Sequence, residues 1–295
     1  MSAVADDRTP LAGTLTLPAG PGPHPAVVFL PGSGRLDRES DTRRIRLSLG
    51  TPLAHALARR GVASLRYDRR GVGATPGDWR AVGFHDNRTD AAAALRALRA
   101  HPEIKSSAVG VVGHSEGAVH AMWLGAHERP AALVLIAGYA RPGIDAFRWQ
   151  AAKVADTLRG PARLLRPFMR RTAAKHPGRM QATTADVARV GGLRTNARWW
   201  REQLAYDPCV DLRRITAPVL AITGQKDLQV SPDDLNVVAR LVPGGVDTRL
   251  VPDLTHLLRR DPEPPSVLNY RRLLRQPVDP ELLTDVAGWL AAHLR

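Results

Sequence analysis

Residues 109–117 read Val-Gly-Val-Val-Gly-His-Ser-Glu-Gly. A short apolar run ends at Gly113, a serine follows two residues later, and a second glycine comes two residues after that. This G-x-S-x-G spacing suits a strand that turns sharply into a helix with Ser115 at the apex. Glycines on either side keep Cβ atoms out of the crowded turn. The start of the following helix would direct positive partial charge towards an anion beside Ser115. Taken alone, the pattern reads equally well as a strand, a glycine loop and a helix with Ser115 as a structural N-cap. The rest of the chain has to decide.

Short apolar runs recur along the sequence. Residues 11–17 alternate as an opening strand should, and 18–25 form a Pro/Gly turn. Residues 26–30 are continuously apolar, as a strand buried on both faces of a parallel sheet would be. They run into Pro31-Gly32-Ser33-Gly34-Arg35-Leu36-Asp37-Arg38, a glycine-rich loop where open α/β sheets hold ligands. A helix is expected over 50–60, a strand over 62–67 and an alanine-rich helix over 86–100. After the elbow, whose helix should reach His127, strands are expected at 131–137, 218–224 and 247–251. Helices are expected near 232–240 and 280–294. Such alternation predicts a mostly parallel central sheet with helices on both faces. The rhythm breaks over 139–206, which is basic and helical in composition and contains Trp149, Phe168, Trp199 and Trp200. The expected organisation is therefore a core in two parts, 1–138 and 207–295, with 139–206 as a helical cap insertion over the strand ends.

The Gly71-x-Gly73 pair does not make a dinucleotide fingerprint, because Pro76 occupies the third glycine position and no helix pattern begins there. Neither glycine loop carries a Walker lysine, and no Cys/His cluster has metal spacing, so no cofactor or metal is expected. Cys209 is the only cysteine, the N-terminus lacks a basic and apolar leader, and no run of about 18 apolar residues exists. A cytoplasmic protein without a membrane span is the expectation. The net charge is +14, and most of it is local. Fourteen Lys/Arg and three acids (Asp145, Asp156, Asp186) lie between Arg141 and Arg201, an excess of eleven positive charges. No nucleic-acid recognition motif accompanies them, so nucleic-acid binding is not expected.

A serine hydroxyl needs a base, and the base needs an orienting acid. In a sheet of this kind the chain order is Ser…Asp…His. Asp227 follows the strand ending at Gly224 by three residues, and His256 lies in the loop after the last strand. Ser115 is then the nucleophile, His256 the general base and acid, and Asp227 the residue that sets the imidazole tautomer. The oxyanion donors expected are the backbone N–H groups of Glu116 and Ser33. Asp227 also reads as a turn cap, and Asp253 is a rival acid that more simply shapes the histidine loop. His114 reads as structural, and His24, His85, His101 and His176 as loop histidines. Glu116, if buried, needs Arg69 or Arg70 as a partner. Asp37 and Arg38 either tie the oxyanion loop in place or form a solvated pair.

Gly32-Ser33-Gly34…Asp37-Arg38, Arg66-Tyr67-Asp68-Arg69-Arg70-Gly71-Val72-Gly73, Gly113-His114-Ser115-Glu116-Gly117, Gly224-Gln225-Lys226-Asp227-Leu228-Gln229-Val230 and the His256 loop occur in this order. The chain thereby resembles, over nearly its whole length, serine esterases of the α/β-hydrolase superfamily. It is most similar to bacterial carboxylesterases related to acylaminoacyl-peptidases and dienelactone hydrolases. Relatives usually carry proline where Arg35 stands. The resemblance implies an α/β-hydrolase fold and hydrolysis of carboxylic esters through an acyl-enzyme. It also implies a cap that sets substrate choice. Gly34, Arg35, Trp199 and Trp200 are the candidate substrate-binding residues, and the tryptophans, Trp149 included, either line an acyl pocket or hold the cap down. The partner expected is a small-molecule ester or thioester, anionic if the cap arginines face it. If they lie on solvent faces of helices, the charge has no substrate role. Alternatives are a thioesterase or acyltransferase on an acyl-CoA, carrier-bound or acidic substrate, a small-peptide hydrolase, and a non-catalytic binding protein.

Overall fold

A computed structural model describes residues 1–190 and 192–294. Its elements, in order, are β1 (Ser2–Val4), β2 (Pro10–Thr16), β3 (His24–Leu30), α1 (Gly50–Ala58), β4 (Ala63–Tyr67), α2 (Phe84–Arg99) and β5 (Ile104–His114). Then come α3 (Glu116–His127), β6 (Leu133–Ile136), α4 (Gly143–Asp156), α5 (Arg166–Gln181), β7 (Val187–Val190), β8 (Leu193–Asn196), α6 (Ala197–Ala205) and α7 (Cys209–Leu212). The chain closes with β9 (Val219–Gly224), α8 (Asp234–Leu241), β10 (Val246–Val251), α9 (Tyr270–Leu273) and α10 (Pro280–His293).

Eight strands form one sheet in the order β1-β2-β4-β3-β5-β6-β9-β10. The pairings from β4 to β10 are parallel, while β1–β2 and β2–β4 are antiparallel. The α/β-hydrolase fold expected from the sequence is the fold observed. Alternate residues of the buried strands face opposite layers. Val28 and Leu30 of β3 join a core with Ala91 and Leu95 of α2 and Met122 of α3. Val27 and Phe29 join a second core with Leu53 and Leu57 of α1 and Val286 and Leu290 of α10. That two-sided burial explains why these strands are continuously apolar.

The register aligns the carboxyl ends. Leu30 pairs with Gly113, His114 with Ile136, Ile136 with Ile222 and Gly224 with Val251. The loops carrying Ser33, Ser115, Asp227 and His256 therefore leave one edge of the sheet. Between β6 and β9 the chain leaves the sheet. It builds α4, α5 and α6 together with the antiparallel hairpin β7–β8. That hairpin, and the edge strand β1, have too few residues to show a period in the sequence. No described helix is long and apolar enough to cross a membrane.

Candidate active site

The elbow is built as its glycines require. A Cβ on Gly113 would lie 2.2 Å from the Gly117 carbonyl oxygen, and one on Gly117 would lie 2.1 Å from the Leu30 carbonyl oxygen. No side chain fits at either place. Ser115 itself has φ 55° and ψ −120°, in a region unfavourable for a residue with a Cβ. It precedes α3 but makes no side-chain capping hydrogen bond. Its Oγ lies instead 3.1 Å from His256 Nε2, across 141 residues of chain. His256 Nδ1 lies 2.8 Å from Asp227 Oδ2. The other carboxylate oxygen, Oδ1, accepts the N–H groups of Gln229 (2.7 Å) and Val230 (2.9 Å). Asp227 and His256 are both buried. Asp253, half-exposed, pairs with Lys226 at 2.7 Å, and its φ of 59° helps turn the histidine loop.

The end of β4 and the segment after it tether the surrounding loops with closely spaced charged side chains. Arg66 pairs with Glu39 at 3.0 Å. Asp68 accepts Arg38 Nη2 at 2.6 Å and the Arg38 N–H at 2.9 Å, so Arg38 ties down the loop that follows Ser33. Arg70 reaches Asp90 and Asp7, and Arg69 takes Glu116 at 3.1 Å. Arg69 Nη2 also donates to the Pro31 carbonyl at 3.0 Å. One guanidinium thus bridges the two segments from which oxyanion donors are expected. Gly73 is required because a Cβ there would sit 2.2 Å from Asp68 Oδ2.

Glu116 Oε1 accepts from Asn87 Nδ2 (3.2 Å) and lies 2.9 Å from His120 Nε2, besides its ion pair with Arg69. Burial alone would raise its pKa. Arg69 first, then His120, overcome that and hold the carboxyl down to about 2. The Glu116 N–H, at the first position of α3, has no intrahelical acceptor. Ser33 is exposed on the wall of the cavity that Ser115 opens into.

Two buried histidines support the site as neutral rings. Burial lowers His114 to about 3 and His120 to about 4, in His120 against the pull of Glu116. His114 Nε2 lies 3.1 Å from the His256 carbonyl. An unfolded chain would protonate both below pH 6.5, where the folded protein does not. Stability is therefore complete above pH 6.5 and is lost as pH falls towards 3 for His114 and towards 4 for His120. Between pH 6.5 and 5, His114 alone should cost on the order of 2 kcal/mol. Urea midpoints measured across that range should fall, and a His114→Gln variant should show a shallower fall.

Sequence reasoning passed over Arg259. It is buried and donates to three carbonyls, those of Leu257 (2.7 Å), Leu47 (2.7 Å) and Gln276 (3.2 Å). Its own carbonyl accepts Thr255 N–H and Oγ1, so it clamps the loop that presents His256. An arginine three residues after a site histidine was the only signal, and its partners lie far off in sequence. The loop assignment also fails for three histidines. His24 begins β3, His85 lies in α2, and His176 lies in α5 against Phe147 and Trp200.

The cavity over Ser115 measures about 520 Å³. The core supplies Ser33, Gly34 and Glu116 to its wall, and the segment after β6 supplies Phe147, Trp199 and Trp200. Arg35 is exposed and does not line it; the preceding Gly34 has φ 97°. Trp149 is not on this wall either and borders a smaller hollow beside Asp234. Of the fourteen cations between 141 and 201, Arg194 alone lines the cavity among the described residues. The other wall cations, Arg69 and Arg70, are neutralised by carboxylates.

The profile of a family described as serine aminopeptidase, S33 matches residues 49–263, well over half of the chain. The chain belongs to that family. Esterase EstD of Thermotoga maritima is 25% identical over 291 residues. That match covers 95% of this chain but only 65% of EstD, so the chain spans less than two thirds of this relative's length. Est1E of Butyrivibrio proteoclasticus, solved with bound ferulic acid, shares the fold at TM-score 0.65 and 17% identity, over 99% of each chain. A 2,6-dihydroxy-pseudo-oxynicotine hydrolase shares it at TM-score 0.62 and 21% identity, over 100% of this chain and 67% of the other.

Proposed function

We propose that the protein is a serine hydrolase that cleaves carboxylic esters through an acyl-enzyme, with Ser115, His256 and Asp227 as its triad. The observation that carries this reading is the unbroken relay from Ser115 Oγ through both imidazole nitrogens to a buried carboxylate, opening onto a cavity. With Asp227 accepting from Nδ1–H, Nε2 is left to accept the serine proton as Oγ attacks the carbonyl carbon. The N–H groups of Glu116 and Ser33 then receive the developing oxyanion. His256 returns the proton to the leaving alcohol, and water repeats the sequence to free the acid. A binding module would have no use for the strained serine backbone or for the complete relay. Esters are preferred over peptides and thioesters because EstD, which is similar over 95% of this chain, is named as an esterase. We take residues 139–206 as a cap on a core formed by 1–138 and 207–295.

The test is labelling by a fluorophosphonate probe together with turnover of short p-nitrophenyl esters. Covalent label on Ser115 and ester turnover are expected, and a folded protein that takes no label would refute the proposal. The same screen with thioesters and aminoacyl-peptides ranks the alternatives by kcat/KM. Most cap charge lies off the cavity wall, so a neutral and an acidic ester should keep a kcat/KM ratio within about threefold between about 0.05 and 0.5 M salt. A ratio that changes more steeply would restore an anionic substrate.

A further inference from the structure

The positive charge that does not line the cavity is concentrated elsewhere. Residues 157–185 contain seven Lys/Arg (Arg159, Arg163, Arg166, Arg170, Arg171, Lys175 and Arg179) and no acid. Five of these, all but Arg166 and Arg170, are exposed and make no ion pair among the described residues. Arg170 is paired with Asp156, and Arg166 donates to the Asp156 and Leu158 carbonyls.

Large apolar side chains stand out of this same segment. Leu164 is 77% exposed, Leu165 55% and Phe168 70%. The chain passes without a break from a 3₁₀ turn, Gly160–Leu165, into α5. Phe168 therefore follows Leu164 and Leu165 at spacings of four and three, which places the three on one face. The face is poorly held from below, since α5 buries only Pro177 and Met180. A soluble surface seldom groups such side chains without a partner.

We infer that this face docks on an anionic lipid surface. Two alternative occupants fit the observations less well. A second copy of the chain, meeting the patch by two-fold symmetry, would bring those five exposed cations against five more. An acidic protein would meet the charge, but Leu164, Leu165 and Phe168 are exposed and line neither of the cavities described above, where a peptide side chain could be received. A bilayer takes both features at once. Its headgroups attract the cations, and protruding apolar side chains enter the acyl boundary beneath them. The contact is peripheral, needs no spanning helix, and leaves the triad on the core untouched.

The test is co-sedimentation of the full chain with vesicles of phosphatidylcholine alone or with about one third phosphatidylglycerol. Binding is expected only to the anionic vesicles, weakening at least about tenfold as salt rises to about 0.5 M. Two variants probe the two halves of the face. Leu164→Ser/Leu165→Ser/Phe168→Ser and Arg163→Glu/Arg171→Glu should each weaken vesicle binding by about tenfold or more. Both should keep wild-type turnover of a short soluble ester, which also shows that they fold. Equal binding by wild type and both variants, or no preference for anionic vesicles, overturns the inference. So does a wild-type dimer in sedimentation that the triple-serine variant disperses, or capture by acidic polypeptide in place of vesicles. None of these outcomes depends on which ester the cavity accepts.

Discussion

Replacing Ser115 by alanine should lower kcat for p-nitrophenyl esters by about a thousandfold or more while leaving the protein folded. The size follows from the proposed role of Ser115 as the nucleophile. On that mechanism no acyl-enzyme can form without Oγ, and what remains is whatever the proposed oxyanion donors and binding do for attack by water. Fluorophosphonate labelling should disappear in the same variant. Stability should hold or rise, because alanine at φ 55° suffers the same backbone strain but no longer carries a partly exposed hydroxyl. Normal turnover by Ser115→Ala, with urea midpoint unchanged, would show that the relay to His256 is not the reacting centre.

The second large effect is expected at Arg69. Its guanidinium is buried, pairs with Glu116 and donates to the Pro31 carbonyl. Arg69→Met would leave the Glu116 carboxylate buried, with the uncharged Asn87, His120 and Trp199 beside it. Breaking one half of a buried pair costs about 3–5 kcal/mol. The double variant Arg69→Met/Glu116→Gln removes the orphaned charge and should recover most of that loss in urea unfolding. Activity should not recover in parallel. The Pro31 carbonyl stays untethered in both variants, so the segment carrying Ser33 loosens and kcat should remain about tenfold or more below wild type. A double variant that regained both stability and kcat would reduce Arg69 to a neutralising charge. Arg69→Lys should not substitute, since one ammonium cannot reproduce the fork that spans Pro31 and Glu116.

Much of this site was legible in sequence, for a local reason. The G-x-S-x-G turn has little room, so its glycines appear at fixed offsets whatever surrounds them. Asp227 and His256 could be found by counting strand ends, because a parallel sheet delivers successive loops to one edge. Between the two partners offered for Glu116, sequence had no means of choosing. Arg69 and Arg70 are adjacent, and only the direction in which each leaves β4 sends one to Glu116 and the other to Asp90.

Other features had no local signature. Arg259 finds an acceptor at Leu47, 212 residues away. The β7–β8 hairpin is four residues a side and lies within a stretch whose composition is helical. Arg35 follows Gly32 and Gly34 closely yet is exposed and does not line the cavity.

The sequence by itself thus determined the alternating architecture, the tight turn at Ser115 and the order in which Ser115, Asp227 and His256 reach one edge of the sheet. Each depends on residue type at short spacing, where sterics and periodicity act directly. Only the tertiary structure decided what Ser115 Oγ faces, which arginine neutralises Glu116, and where the excess positive charge lies. These depend on groups brought together from distant parts of the chain. The eleven excess charges between Arg141 and Arg201 are plain in the sequence, but only the fold shows that nearly all of them lie off the cavity wall.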